Sequence, residues 1–525
     1  MHQINSSGIS LYHQPIADVE KNTPKTSHTP ERDSDKEYTR RYIEISKSEW
    51  WRVILFCLSM SLMGLKFPLG YLFVPMCLIS SWRNSRYDFI IQFTIFVGGY
   101  AFLSDSTLPF KTEDLAMLLG VIGVFIYRKP PIVKKVLVAV GIYAAALIIL
   151  AMFSDERMGI QIRTMRYWLC FIYFMVPLMA FAGQNFDIRE LMKKIFPYVL
   201  VISVFYILDC FIVNGNLFVP NSFVWDSAGS TWNNLALSGF GSFPRKFPPG
   251  MYWLLMVVAP IARYYKLKWW QWLLIVGALI AARTFTLIIT TVIGLMLFQP
   301  KVGRLVGYSV IAIFLFSIAY SIDSSLPKRA NGESAMRIKS SIDQIISLGE
   351  VEDDEDLSKF GTGRIAQALP IMDLMTAYNK QAVGLGFLHP ELTTNTRYII
   401  INDYLDNVEE SVRVATGVEC SPLQVYVTVG YIGLIIHLAF FISLWVFVRR
   451  LKYSWYFLSI LLLTFILGLS GMTKWIDNTG QFLLALSFSA VLLENHDQLW
   501  SHIHLRSLNP SAQSVTKEII DEQHK

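Results

Sequence analysis

Arginine is the residue whose placement in this sequence most needs a chemical explanation. Arg283 is wedged in Ala281-Ala282-Arg283-Thr284-Phe285-Thr286, between two apolar stretches and without an adjacent acidic partner. Arg163 and Arg166 stand at the start of another apolar stretch, Arg245 and Lys246 lie in a segment rich in Asn, Ser, Gly and Pro, and Arg364 occupies Gly361-Thr362-Gly363-Arg364-Ile365. A guanidinium is a planar fork that pairs bidentately with phosphate oxygens and keeps its charge at any relevant pH. Arginines converging on one cavity would suit a diphosphate, and at a membrane leaflet a lipid diphosphate. Each has a plainer alternative, because an arginine at the edge of hydrocarbon can snorkel to headgroups or pair with a loop carboxylate. For Arg283 a functional role is preferred, since an ionisable side chain among apolar runs is costly to hold there.

These positions depend on elements that cross a bilayer. The chain of 525 residues is 53% hydrophobic and 16% charged, with a positive mean hydropathy, a balance rare in water-soluble domains. Runs of roughly 18 apolar residues, enough to cross about 30 Å of hydrocarbon, predict an all-α fold, a polytopic transmembrane helix bundle. About twelve to fourteen spans are expected. They lie near 51–65, 67–82, 87–104, 114–128, 134–153, 165–182, 196–213, 249–264, 269–283, 284–299, 305–322, 421–447, 453–472 and 478–494.

Orientation checks the count. With a cytoplasmic N-terminus, the turns at Arg83 and Arg86, Arg128 to Lys135, Arg189 to Lys194, Arg263 to Lys268, Lys301 and Arg304, and Arg449 to Lys452 all fall inside, as the positive-inside rule requires. A miscount of one span would reverse every later turn. The expected organisation is a disordered cytoplasmic tail at 1–49, about eleven spans over 50–322 with an outer loop near 214–248, a large extracytoplasmic loop at 323–420, about three spans over 421–494, and a cytoplasmic tail at 495–525. The large loop has helical patterning of its own, Ile338, Ile342 and Ile345 in one place and Ile365, Leu369, Met372 and Met375 in another, which predicts amphipathic helices. The acidic run from Glu350 to Asp356 reads as a solvated turn rather than a cation site, because consecutive carboxylates do not converge without a scaffold of spaced ligands.

At this point the sequence resembles the O-antigen polymerase and ligase superfamily of bacterial surface polysaccharide assembly. Ala282-Arg283-Thr284, entering a span rich in small residues, looks like that family's Ser-Arg motif. Gly361-Thr362-Gly363-Arg364-Ile365 followed by Gly384-Leu385-Gly386-Phe387 resembles its large-loop pattern, and Gly430-Tyr431-Ile432-Gly433-Leu434 resembles its G-x-x-G-L span. The resemblance covers roughly residues 280–440. It implies metal-independent glycosyl transfer, with no cofactor, from an undecaprenyl-diphosphate-linked oligosaccharide at the outer face of the cytoplasmic (inner) membrane. Arg283 and Arg364 would then hold the diphosphate and stabilise the charge that develops on it, and membrane lipids, a chain-length regulator and a flippase would be partners.

A general base would deprotonate the acceptor hydroxyl, and here the sequence departs from its relatives. Ligase members carry a histidine near the end of the loop, where this chain reads Gly417-Val418-Glu419-Cys420-Ser421-Pro422. Glu419 is one substitute, with a pKa that desolvation could raise, or it is a helix N-terminal charge with Ser421 as cap. His389 is the other, the only histidine of the nine that the topology puts outside, and as a loop residue before proline it could equally be structural. Asp209, near the outer end of the seventh span, is either a further site residue or a carboxylate snorkelling to water.

Polymerase is the leading expectation, since the ligase histidine is missing. Ligase-type transfer and flipping or export of the lipid-linked glycan are the alternatives. An exporter is disfavoured by the lack of internal symmetry between the halves. The five cysteines form no disulfide or zinc pattern, a single outward histidine argues against a metal site, and the +6 charge lies beside spans rather than in a nucleic-acid stripe. No Walker A motif, dinucleotide fingerprint or nucleophile elbow occurs.

Overall fold

The computed structural model describes residues 41–98, 112–213, 217–219, 249–282, 285–298, 364–389, 420–469 and 478–500, with short pieces near 223–247, 306–325, 392–414 and 475–476. All of them belong to the compact unit Arg41–Lys525. It is helical, with three antiparallel strand pairs of two or three residues among the described residues. The tails at 1–40 and 501–525, the acidic run 350–356 and the helix expected around Ile338 lie outside the described residues.

The chain runs through α1 (Lys47–Gly64), α2 (Pro68–Asn84), α3 (Arg86–Val97), α4 (Thr112–Ile126), α5 (Pro131–Ala151), α6 (Met158–Met165), a 3₁₀ stretch (Arg166–Phe174), α7 (Met175–Ala180) and α8 (Ile188–Leu208). It continues through α9 (Pro249–Tyr264), α10 (Trp269–Ala282), α11 (Phe285–Leu297), α12 (Arg364–Ala377), α13 (Ser421–Val448), α14 (Ser454–Leu469) and α15 (Asn478–Glu494). Starts follow from local chemistry. Ser46 caps α1 through a reciprocal box, its Oγ accepting the Glu49 N–H at 3.2 Å while its own N–H donates to Glu49 at 3.0 Å. Proline opens α2, α5, α9 and α13 within the first two positions, where a missing N–H costs nothing.

Among the described residues three helices, α5, α8 and α13, are long and apolar enough to cross a membrane. α8 is buried over 72% of its apolar window, so it is a central helix, whereas α5 and α13 bury 28% and 33% and turn the remaining apolar surface outward. An apolar surface that no protein covers is what hydrocarbon solvates.

The sixth expected span is not one helix. Its first half, nine residues from Arg166 to Phe174, is wound as 3₁₀, a long run for that form, in which side chains three apart eclipse. Trp168, Phe171 and Phe174 therefore stack in one buried column. Phe171 and Phe174 meet Phe488 of α15 at 5.5 and 5.7 Å, and Ser489 of α15 donates to the Phe174 carbonyl at 2.8 Å. This column packs chiefly against α15 and α4, and it touches α13 through the Trp168–His437 and Phe171–Phe440 ring contacts at 5.3 and 5.9 Å.

Candidate functional site

The site begins where α12 ends. Asn379 adopts φ 52°, and Lys380 returns its N–H to the Met375 carbonyl at 2.8 Å, a Schellman closure that reverses the chain. Residues 381–388 then run alongside α13 at a point where that helix is broken. Gly430 has φ 67° and ψ −176°, a conformation essentially reserved for glycine. An unbroken helix would have Tyr431 donate to Val427 and Ile432 donate to Thr428. Instead the Val427 and Thr428 carbonyls accept the N–H groups of Leu385 and Gly386 at 2.8 and 2.9 Å, and Tyr431 and Ile432 donate to Gln381 and Ala382 at 3.0 and 3.2 Å.

These four groups are thus taken up by the loop, as buried main-chain polar groups must be. The fit is close enough that a Cβ on Gly430 would fall on the Ala382 carbonyl, and one on Gly384 (φ 79°) would fall on the Thr428 carbonyl. Two segments whose glycines, Gly384 and Gly430, stand 46 positions apart in the sequence interlock there.

The corner between α5 and α6 forms a third side. Ser154 donates to the Leu385 carbonyl at 2.6 Å, and Lys380 donates to the Phe153 carbonyl at 2.5 Å while standing 4.0 Å from Asp155. Gln161 braces the corner by donating to Ala151 and Glu156, each at 3.0 Å. Above this seat Ile371 and Met375 of α12 close a small apolar cluster with Leu385, Leu388 and Val427. Arg364 heads the same helix, seven residues and about 10 Å along the axis from Ile371. The helix predicted from Ile365, Leu369, Met372 and Met375 is therefore the one docked on the seat.

The other expected residues distribute as follows. His389 closes the seat segment, half-buried, its N–H donating to Thr393 Oγ1 at 2.9 Å and its carbonyl accepting the Thr393 N–H at 3.0 Å. Arg163 is exposed on α6, two residues beyond Gln161. Arg166 donates to Asp114 at 2.8 Å and to the Tyr167 hydroxyl at 2.9 Å, so its charge is matched by a carboxylate, as the plainer reading of these arginines anticipates. Lys246 pairs with Val224 in a two-residue ladder. Arg283, Arg245 and Glu419 lie outside the described residues, although α10 ends at Ala282 and α11 starts at Phe285 on either side of Arg283.

Asp209 is wholly buried and does not snorkel. It opens a π-wound turn at the end of α8, and its carboxylate takes the backbone N–H groups of Leu217 (3.2 Å), Phe218 (3.0 Å) and Val219 (2.7 Å). Its place is that of a clamp on the segment after α8.

The residue that sequence reasoning passed over is His437. It lies inside α13, 1% exposed, with Nδ1 2.7 Å from the Tyr143 hydroxyl and Nε2 without a hydrogen-bond partner among the described residues. Trp168, Trp475 and Phe441 surround it. The applicable signal was an ionisable residue within an apolar run, the same argument that singled out Arg283.

Among the described residues no three His, Cys, Asp or Glu side chains gather as metal ligands. The arrangement presents a cation-headed helix over a rigid seat, with an imidazole-bearing residue at the seat's edge. No protein-family model matches the chain, and no curated protein matches it.

Proposed function

We propose that the chain is a glycosyltransferase of bacterial surface polysaccharide assembly, a polymerase that moves an undecaprenyl-diphosphate-linked glycan onto another lipid-linked repeat unit. In this reading it is a bundle of about twelve to fourteen spans in the cytoplasmic membrane, with both termini inside and 323–420 outside. Arg283 and Arg364 grip the diphosphate. The acceptor hydroxyl oxygen bonds to the anomeric carbon as the bond from that carbon to the diphosphate breaks, the arginines take up the developing negative charge, and His389 or Glu419 removes the hydroxyl proton. Arg163 of α6 is placed to extend the cationic surface, being exposed two residues from Gln161.

The observation that carries the reading is the interlock at Gly430. The motif segments Gly384–Phe387 and Gly430–Leu434, which only the resemblance pairs, overlap the stretches 381–386 and 427–432 whose main chains exchange four hydrogen bonds, while α12, headed by Arg364, packs on the same seat. A contiguous unit of this kind supports a fixed reaction site more readily than a path that alternates across a membrane, which needs two packings of comparable stability.

The test is glycan size in cells expressing Arg283→Ala or Arg364→Ala at normal protein levels. Accumulation of single repeats on lipid is expected. Full-length polysaccharide in both variants would sink the reading, and long lipid-linked chains that fail to reach a final acceptor would assign ligase activity instead.

A further inference from the structure

We propose that Tyr143 and His437 are a positioning pair that holds the segment ending in His389 and the head of α13 at a fixed separation, an inference that rests on the function proposed above. His437 is 1% exposed, in the half of α13 beyond the break. Its ring meets Trp168 edge-on at 5.3 Å and 72° and lies parallel to Trp475 at 6.1 Å and 9°. Each tryptophan leads to one of the two candidate bases. Trp168 meets Phe387 edge-on at 5.2 Å and 82°, two residues before His389. Trp475 donates its backbone N–H to Ser421 Oγ at 2.9 Å, two residues after Glu419.

The imidazole is therefore the common support beneath both segments, and its orientation is what Tyr143 fixes. Edge-on and parallel ring contacts favour set geometries but tolerate a modest turn of the ring. The 2.7 Å bond from Tyr143 to Nδ1 does not, because a hydrogen bond weakens steeply once it is misaligned. Phenylalanine at 437 would keep the buried area and lose the directional bond. That loss would leave the ring free to turn between Trp168 and Trp475 and let the two segments drift. The pair is too deep to touch the reacting atoms, so its effect is on geometry and not on proton transfer.

The test uses the full chain in lipid nanodiscs, with spin labels on Cys420 and on the thiol introduced by Leu392→Cys, and with the remaining cysteines replaced. The parent should give one narrow distance distribution. His437→Phe and Tyr143→Phe should each broaden it, the double variant should broaden it no further, and His437→Gln should restore it by supplying an acceptor to Tyr143. The broadened variants should lose about ten- to a hundredfold in kcat with KM unchanged. A distribution unmoved by His437→Phe overturns the proposal, as does additive broadening in the double variant or broadening with kcat intact. The distance measurement needs no substrate. If the distances respond as expected but neither parent nor variants transfer glycan, the function fails and the pair stands.

Discussion

Leu385 donates its backbone N–H to the Val427 carbonyl at 2.8 Å, the acceptor that Tyr431 would use in an unbroken helix. A loop residue thus completes the hydrogen bonding of α13, and changes made in the helix should be felt in the loop.

Gly430→Ala should show this directly. An alanine forced into that backbone conformation costs about 1–3 kcal/mol, and its Cβ would also press on the Ala382 carbonyl. The variant should melt at lower temperature in detergent and be cleaved faster by protease near residues 378–395. Gly141→Ala, on an open stretch of α5 where a Cβ meets nothing within 4 Å, is the control and should be neutral or stabilised by up to about 1 kcal/mol. Equal melting of the two variants would contradict the interlock.

Asp209 offers a second test, at the end of α8. Asp209→Ala strips the acceptor from three backbone donors and should cost on the order of 3 kcal/mol. Asp209→Asn keeps one carbonyl oxygen for them and should fall between. The expected order of thermal stability is parent, Asn, Ala. An Ala variant as stable as the parent would show that the clamp contributes nothing.

Arg163 and Arg166 should separate in their effects although they are neighbours in sequence. Arg166 is bound to Asp114, so Arg166→Ala and Asp114→Ala should each lower stability by about 1 kcal/mol or less and be non-additive together. Arg163→Ala should leave melting unchanged and raise KM for the lipid-linked donor. Steady-state kinetics beside melting curves would distinguish them, and a KM effect confined to Arg166 would reverse the assignment.

Acid should weaken the opposite end of the bundle. Burial pushes the Glu49 carboxyl up, but the hydrogen bond and charge of Lys194, with the Ser46 N–H and hydroxyl, outweigh it and hold the group below its ordinary 4.5. A carboxyl depressed in the folded state stabilises fully above its unfolded pKa and loses that contribution as pH falls through the folded one. Stability should therefore drop below about pH 4.5, and Glu49→Gln should remove this part of the acid dependence. An identical acid profile in the variant would refute the role of the pair with Lys194.

Much of this fold can be read from hydropathy, and its exceptions have physical reasons. Segments 249–264 and 269–283 coincide with α9 and α10 to within a residue, because apolar length and flanking charge mark where each of these helices stops. The sixth span was expected to open near 165, yet helix begins at Met158. Gln161 and Arg163 make α6 too polar for a window that averages apolarity. The break at Gly430 escaped for the opposite reason, since its flanks are as apolar as the rest of α13 and only the backbone angle differs. His437 was diluted by its 27 companions in the same 28-residue helix. Of the candidate site, the segments around Gly384 and Gly430, two of the three that carry the resemblance, lie side by side at the seat, while Arg283 of the third lies outside the described residues. The resemblance could not supply Ser154 or Lys380, which reach across more than 200 positions of sequence, nor Gln161, whose amide oxygen accepts the Phe387 N–H at 3.4 Å as its amide N–H groups brace the corner.

A bilayer responds to length, not to residue number. The 3₁₀ stretch Arg166–Phe174 climbs about 2.0 Å per residue where an α-helix climbs 1.5, so its nine residues reach about 4–5 Å further than the same residues would in α form. If this segment crosses the membrane as proposed, its winding is a built-in adjustment of hydrophobic thickness. Rewinding it would shorten the stretch by that amount and draw Trp168 away from Phe387, tying the bundle's match to its lipid to the geometry above it.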